Sequence, residues 1–386
     1  MKIPATALLL AALAPAAVRA DMEMEGVMTQ LGPWHVMAHG FANGVVDHQG
    51  GPRGGDKTFG NSMLMVMGAR ALGAGHVELH GMLSLDPLMG PSGYPLLFQA
   101  GESADGRTTL VDRQHPHDAF MELSGRYTLP VGADSDLFAY GGLPGEPALG
   151  PENFMHRASG ERIPEAPLAH HWLDSTHITM GVVTLGARRG AWKVEGSAFN
   201  GREPDQNRWN IETRRLDSWS ARVTFEAATG LELQASYGYL ASPEALEPAQ
   251  QIRRTTASAV YRTALGGSPW ATTLAWGRND KRGDAPRREV DAWLLESTLE
   301  LNPRHTVFAR AEQVDQDELF AEPDALAGQA FKVGKLSAGY IHDFAKTGPI
   351  RWGVGALASA FRVPAEIRSA YGSHPAAWMV FVQARL

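Results

Sequence analysis

A chain of 386 residues with no cysteine and a formal charge of −7 holds no disulfide framework, lipid-modified cysteine or thiolate metal site, and its acid excess argues against a nucleic-acid partner. Forty-two glycines, ten tryptophans and the scarcity of long helical periodicity favour an all-β chain. Beyond the first twenty residues, no stretch approaches the roughly 18 continuous apolar residues of a spanning helix.

In chain order, residues 1–20 read as a secretory signal: Lys2, an apolar run from Ile3 to Val18, and a small-residue end at Ala20, with cleavage before Asp21. Loss of Lys2 and Arg19 leaves 33 basic residues against 42 acidic ones. Residues 21–33 form a short Met/acid leader, expected to be mobile in the periplasm, and residues 34–386 form the remaining domain.

Strand-like segments follow at 34–47, 58–70, 76–86, 118–129, 135–142, 175–187, 191–200, 217–227, 231–241, 253–264, 269–278, 289–301, 305–314, 329–344, 350–362 and 377–386. The connections alternate between short Gly/Pro/Asn turns, such as Arg188 to Gly190 and Asn302 to Arg304, and long ones at 48–57, 88–117, 143–174, 201–216, 242–252, 279–288, 315–328 and 363–376. Short turns on one side and long loops on the other are the pattern of a transmembrane, antiparallel, up-and-down β-barrel of about sixteen strands. Trp219, Ala221, Val223 and Phe225 oppose Ser218, Ser220, Arg222 and Thr224, an apolar wall for lipid and a wet wall for the lumen. Tyr127, Trp192, Tyr261 and Trp378 sit near segment ends, where interfacial aromatics belong. On the same pattern Arg310, Lys332, Glu296 and Glu312 line the lumen.

Eleven of the fourteen histidines lie at or before His177. His35 and His39 share the wet face of the first strand with Met37, and His76, Glu78, His80 and Met82 share that of the third. Between them Met63, Met65 and Met67 fall on one face of a strand that is apolar on both, so they face either the lumen or lipid. Thioether and imidazole together suit copper, above all Cu(I), and imidazole with carboxylate suits zinc. A second cluster belongs to the loops: His115 and His117 flank Pro116, His156 lies in loop 143–174, and His170, His171 and His177 close that loop. Both stretches enter consecutive strands from outside, so these side chains are placed to meet in the upper lumen. Leu96, Leu97, Phe98, Leu149 and Phe154 are too apolar for loops that dangle in water, which predicts a plug. Asp174, Ser175 and His177 carry the residue types of a hydrolase, but their spacing does not assemble a triad locally.

The runs His115-Pro116-His117-Asp118, Leu143 to Pro151 and His170-His171-Trp172-Leu173-Asp174-Ser175-Thr176-His177-Ile178-Thr179 resemble those of a family of Gram-negative outer-membrane β-barrel proteins. The resemblance spans the mature chain and implies a copper-handling association, although it supplies no catalytic residues. The Met/His-rich leader of that family is here reduced to Met22, Met24 and Met28. The expected protein is therefore a porin-like outer-membrane barrel that passes or binds a small solute, in its sharpest form a copper, zinc or other soft metal ion. Its expected partners are membrane lipid and the barrel-assembly machinery. The alternatives are an outer-membrane hydrolase with a loop-cluster active site and a structural envelope protein.

Overall fold

The computed structural model describes residues 26–386; the signal-sequence expectation for residues 1–20 lies outside them. Among the described residues the strands are β1 (Val27–Leu31), β2 (Trp34–Gln49), β3 (Gly55–Leu72), β4 (Gly75–Leu83), β5 (Tyr94–Ser103), β6 (Thr109–Gln114), β7 (Phe120–Pro130), β8 (Ser135–Gly142), β9 (Val182–Arg189), β10 (Trp192–Phe199), β11 (Ser218–Ala228), β12 (Leu231–Ala241), β13 (Gln251–Leu265), β14 (Ser268–Arg282), β15 (Arg288–Asn302), β16 (His305–Gln316), β17 (Phe331–Thr347), β18 (Ile350–Arg362) and β19 (Ala376–Arg385). Strands β2–β4 and β7–β19 form a closed antiparallel barrel of 16 strands, in which β19 seals against β2 with Phe381 opposite Val45. Closure removes the unpaired edges that a bilayer does not tolerate.

The period of two sorts the side chains as expected. Leu64, Val66, Leu79, Leu185, Leu295, Leu336 and Val380 are exposed on the outside, with Trp192 and Trp378 among them. That is the surface lipid accepts. Inward positions are buried, even where they are charged: Glu296, Arg310, Glu312 and Lys335 have almost no contact with solvent.

They are buried because the loops fill the barrel. Loop 88–117, expected to fold inward as a plug, does so and contains the β5–β6 hairpin, whose Leu96, Leu97 and Phe98 pack with Val45, Phe59 and Tyr371. Its pairing is broken between Pro95 and Ala100 and again before Ser103, and Phe98, Glu102 and Asp112 have positive φ. Such bulging erases the alternation that would have revealed the strands. Residues 143–181 run down the lumen beside it. Trp172 donates from Nε1 to the Val290 carbonyl at 3.0 Å. Lower down, Arg157 lies between Asp174, at 3.1 Å, and Glu296, whose other oxygen accepts from Arg310 Nε at 2.9 Å. Gly160 allows this approach, since a Cβ there would sit 2.8 Å from Glu296 Oε1. Arg162 reaches Thr306, Asp343 and Gln383 at 3.2–3.4 Å, residues close to the short-turn ends of β16, β17 and β19. The plug therefore spans most of the barrel's height.

Four expectations are corrected. Residues 175–187 are not one strand: Ser175–His177 is a helical turn and β9 starts at Val182. The leader contains β1, which pairs with β2 from Val27↔Ala38 to Leu31↔Trp34, continuing the line that β19 leaves at Arg385↔Phe41. Loops 48–57 and 279–288 shrink to 50–54 and 283–287, because the ladder continues beyond the apolar belt with polar residues on both faces. Lys332 is on the outer face, 3.6 Å from Asp315; it is Lys335 that enters the lumen and meets Glu165 at 2.6 Å.

Candidate functional site

The β4–β7 and β8–β9 connections bring five histidines together in the upper lumen. His115 and His117 follow β6, where Pro116 forces extended backbone and turns both rings inward. His170 and His171 open the single helical turn His170–Leu173, and His177 closes the next turn. Neighbouring ring centroids are 5.2–6.3 Å apart along the series His171, His115, His170, His177, His117.

The anchoring of these rings is specific. His117 Nδ1 lies 2.8 Å from Asp86 Oδ2, His170 Nδ1 lies 2.7 Å from Asp174 Oδ1, and His177 Nδ1 lies 2.8 Å from the Asp174 carbonyl. Nδ1 held by a carboxylate or carbonyl fixes the tautomer and leaves Nε2 with a free lone pair, the arrangement in which imidazole ligates metals. Nε2 of His117, His171 and His177 is buried without a hydrogen-bond partner. One nitrogen each from His115, His170 and His171 lies within 4.8 Å of the others, and His171 forms a second such group with Glu203 and Glu244. Gly101, with φ of +127°, makes room for His171, since a Cβ there would be 2.3 Å from the ring.

Burial keeps four of these rings, His115, His170, His171 and His177, neutral. It pushes His115 down to about 3, with His117 adding to the effect. His170, His171 and His177 lie well below the usual imidazole value for the same reason, reinforced by their histidine neighbours. Above the cluster a small outer cavity is lined by Glu102, Glu244, Glu247 and Glu318. Below it another cavity, of about 20 Å³, joins His115, His117 and Asp86 to Phe154 and Met155. A space of that size holds one water-sized species, far less than the 300–1,000 Å³ typical of organic-ligand pockets.

The predicted site residues therefore divide between two places. His115, His117, His170, His171 and His177 meet; His156 does not join them. It lies lower, with Nε2 3.2 Å from Met82 Sδ and its ring 5.6 Å from that of His39. Met63, Met65 and Met67 face the lumen, because the register sets Met65 opposite both His39 and Met82, and Met67 opposite both Met37 and His80. His76 sits 3.8 Å from Glu78 near the short-turn end, and His35 is exposed at that end. Met121 and Met180 also belong to this cluster and escaped sequence reasoning, and Met155, legible only as an apolar loop residue that folds inward, joins them. Met121 is turned inward by a bulge, as β4 pairs Met82 with Glu122 and Leu83 with Phe120. Glu203 and Glu244, equally unforeseen, come from distant loops, and Glu102 from β5. The hydrolase constellation does not form: Ser175 Oγ accepts from Arg254 at 3.0 Å, while the Asp174 carboxylate serves His170 and Arg157.

No protein-family model matches the chain, and neither does any curated protein. Solved structures do. OmpF of Salmonella typhi, in complex with daunomycin, superposes with a TM-score of 0.58 at 10% identity, over 93% of this chain and 100% of that one. The anion-selective porin of Comamonas acidovorans gives 0.51 at 12% identity, over 92% and 100%. The outer-membrane channel DcaP of Acinetobacter baumannii gives 0.51 at 11% identity, over 94% and 100%. The fold is that of the outer-membrane porins. Porins of sixteen to eighteen strands leave an aqueous channel, whereas this porin fold carries a lumen filled by its own loops.

Proposed function

We propose that this chain is a Gram-negative outer-membrane barrel that binds and passes a small solute, and that the solute is a soft or borderline metal ion, copper before zinc. The carrying observation is the upper cluster of five imidazoles, four of them kept neutral by burial, three anchored at Nδ1 and three with a free Nε2. Nitrogen ligands of this kind suit copper and zinc. The small space beneath the cluster suits an ion better than a sugar or peptide. The apolar outer belt accounts for membrane lipid as a partner, and the alternating C-terminal strand β19 presents a segment for the assembly machinery.

The test is titration of the refolded mature barrel with Co(II), Zn(II) and Cu(II), beside the variant His115→Ala, His117→Ala, His170→Ala and His171→Ala. Stoichiometric binding that disappears in the variant supports the reading. No binding by the native barrel removes the metal and leaves a plugged porin fold.

A further inference from the structure

The structure assigns a second cation site, lower in the lumen and built on thioethers: His39, Met65, Met82 and His156, which we propose takes a monovalent d10 cation, Cu(I) or Ag(I). It rests on the reading of the barrel as a metal-handling protein, and extends it to a different ligand chemistry.

Ten methionines lie between Met37 and the C-terminus. Six of them, Met63, Met65, Met82, Met121, Met155 and Met180, are buried in one cluster, with Met67 packed against it. Elsewhere the lumen is filled mainly by aliphatic and aromatic side chains or by ion pairs, with Met379 and Met89 the methionines of the other core cluster among the described residues. Methionine is a common gap filler, so the imidazoles decide the matter. His39 Nε2 is buried with no hydrogen-bond partner, and the His156 ring sets Nε2 against Met82 Sδ at 3.2 Å. Thioether is a weak hydrogen-bond acceptor, so neither nitrogen is well satisfied by protein alone. Buried polar atoms left this way call for an explanation such as an ion. Two imidazoles and two thioethers satisfy a soft cation, for which thioether sulfur is a selective ligand.

Charge points to the same oxidation state. Glu122, opposite Met82 in the register and 3.6 Å from His80 Nδ1, supplies one negative charge beside the site, which balances a monovalent ion better than a divalent one. The site also lies on a continuous line. The Phe154 ring touches His117, His170 and His177 above and packs with the methionines below. Beyond them Met67, Met37 and His80 carry the same ligand types towards His76 and His35 at the short-turn end. The proposed route therefore follows the β2–β4 wall, beside the bolted plug.

The test is calorimetric titration of the refolded mature barrel with silver nitrate in chloride-free buffer, with Co(II) binding as an independent readout of the upper cluster. The variant Met65→Leu/Met82→Leu keeps packing volume and removes the sulfur. It is expected to lose Ag(I) binding while Co(II) binding is unchanged, and the four-histidine variant is expected to retain Ag(I). Ag(I) affinity unchanged in the leucine variant overturns the site. If the leucine variant does not fold, X-ray absorption of the silver-loaded native barrel decides: sulfur in the coordination shell supports the site and its absence overturns it. Native barrel that binds Ag(I) but not Co(II) refutes the upper cluster and leaves this site standing; failure to bind either refutes both.

Discussion

Replacing Glu296 with alanine unbolts the plug. Glu296, Arg157 and Arg310 are all fully buried, and the carboxylate holds one guanidinium on each oxygen, with Ser159 Oγ adding a hydrogen bond at 3.0 Å. Removing it leaves two buried guanidinium groups facing a void. Stripping one partner from a buried ion network costs about 3–5 kcal/mol, and because Asp174 still pairs with Arg157 the lower end applies. About 3 kcal/mol shifts the docking equilibrium of the plug by roughly two powers of ten. Hydrogen exchange over residues 153–163 of Glu296→Ala is expected to rise by that factor, and planar-bilayer recordings to show openings absent from the native barrel. The quadruple change Arg157→Met, Asp174→Asn, Glu296→Met and Arg310→Met removes the charges of this network, the Asp174 partner of Arg157 included, and is expected to restore slow exchange. Native-like exchange and conductance in Glu296→Ala would refute the view that this network holds the plug.

Acidification acts on the same loops from above. His115, His170, His171 and His177 stay neutral in the folded protein at pH values where free imidazole protonates. The unfolded loops then bind more protons, so stability is complete above about pH 6.5 and falls as pH drops below it, by up to about 1.4 kcal/mol per histidine per pH unit. Limited proteolysis within residues 84–119 and 143–181 is expected to be faster at pH 5 than at pH 7; equal rates would count against burial of neutral rings. Asp86→Asn weakens the support of His117 Nδ1 and is expected to lower metal affinity about 10–100-fold, measured by Co(II) titration; full affinity would exclude His117 as a ligand.

The barrel was legible because lipid enforces its pattern: an outward charge is costly, so alternation and turn spacing reveal each strand wherever one wall meets the bilayer. Legibility ends where lipid does. At the rim, Asp280, Lys281 and Arg282 continue β14 with no apolar face to mark it. Inside, β5 is buried on both faces and bulged, so it carries no period. The loop histidines were foreseen as a group because His115-Pro116-His117 and His170-His171 are dense locally. Asp174 anchors His170 and His177 from within four residues, but the anchor Asp86 and the bolts Arg157–Glu296 and Lys335–Glu165 depend on contacts between distant segments, which no local pattern encodes. The facing of Met63, Met65 and Met67 was undecided in isolation, and it is fixed by register against His39 and Met82.

Passage of soft cations through a filled porin fold that excludes ordinary solutes is tested most directly in vesicles carrying the refolded barrel, loaded with a silver-responsive chelator and assayed in parallel for osmotic swelling in a small sugar. Chelator response faster than in protein-free vesicles, without swelling in the sugar, is the predicted result. Swelling at the rate of an open pore, or silver entering no faster than in protein-free vesicles, would contradict it.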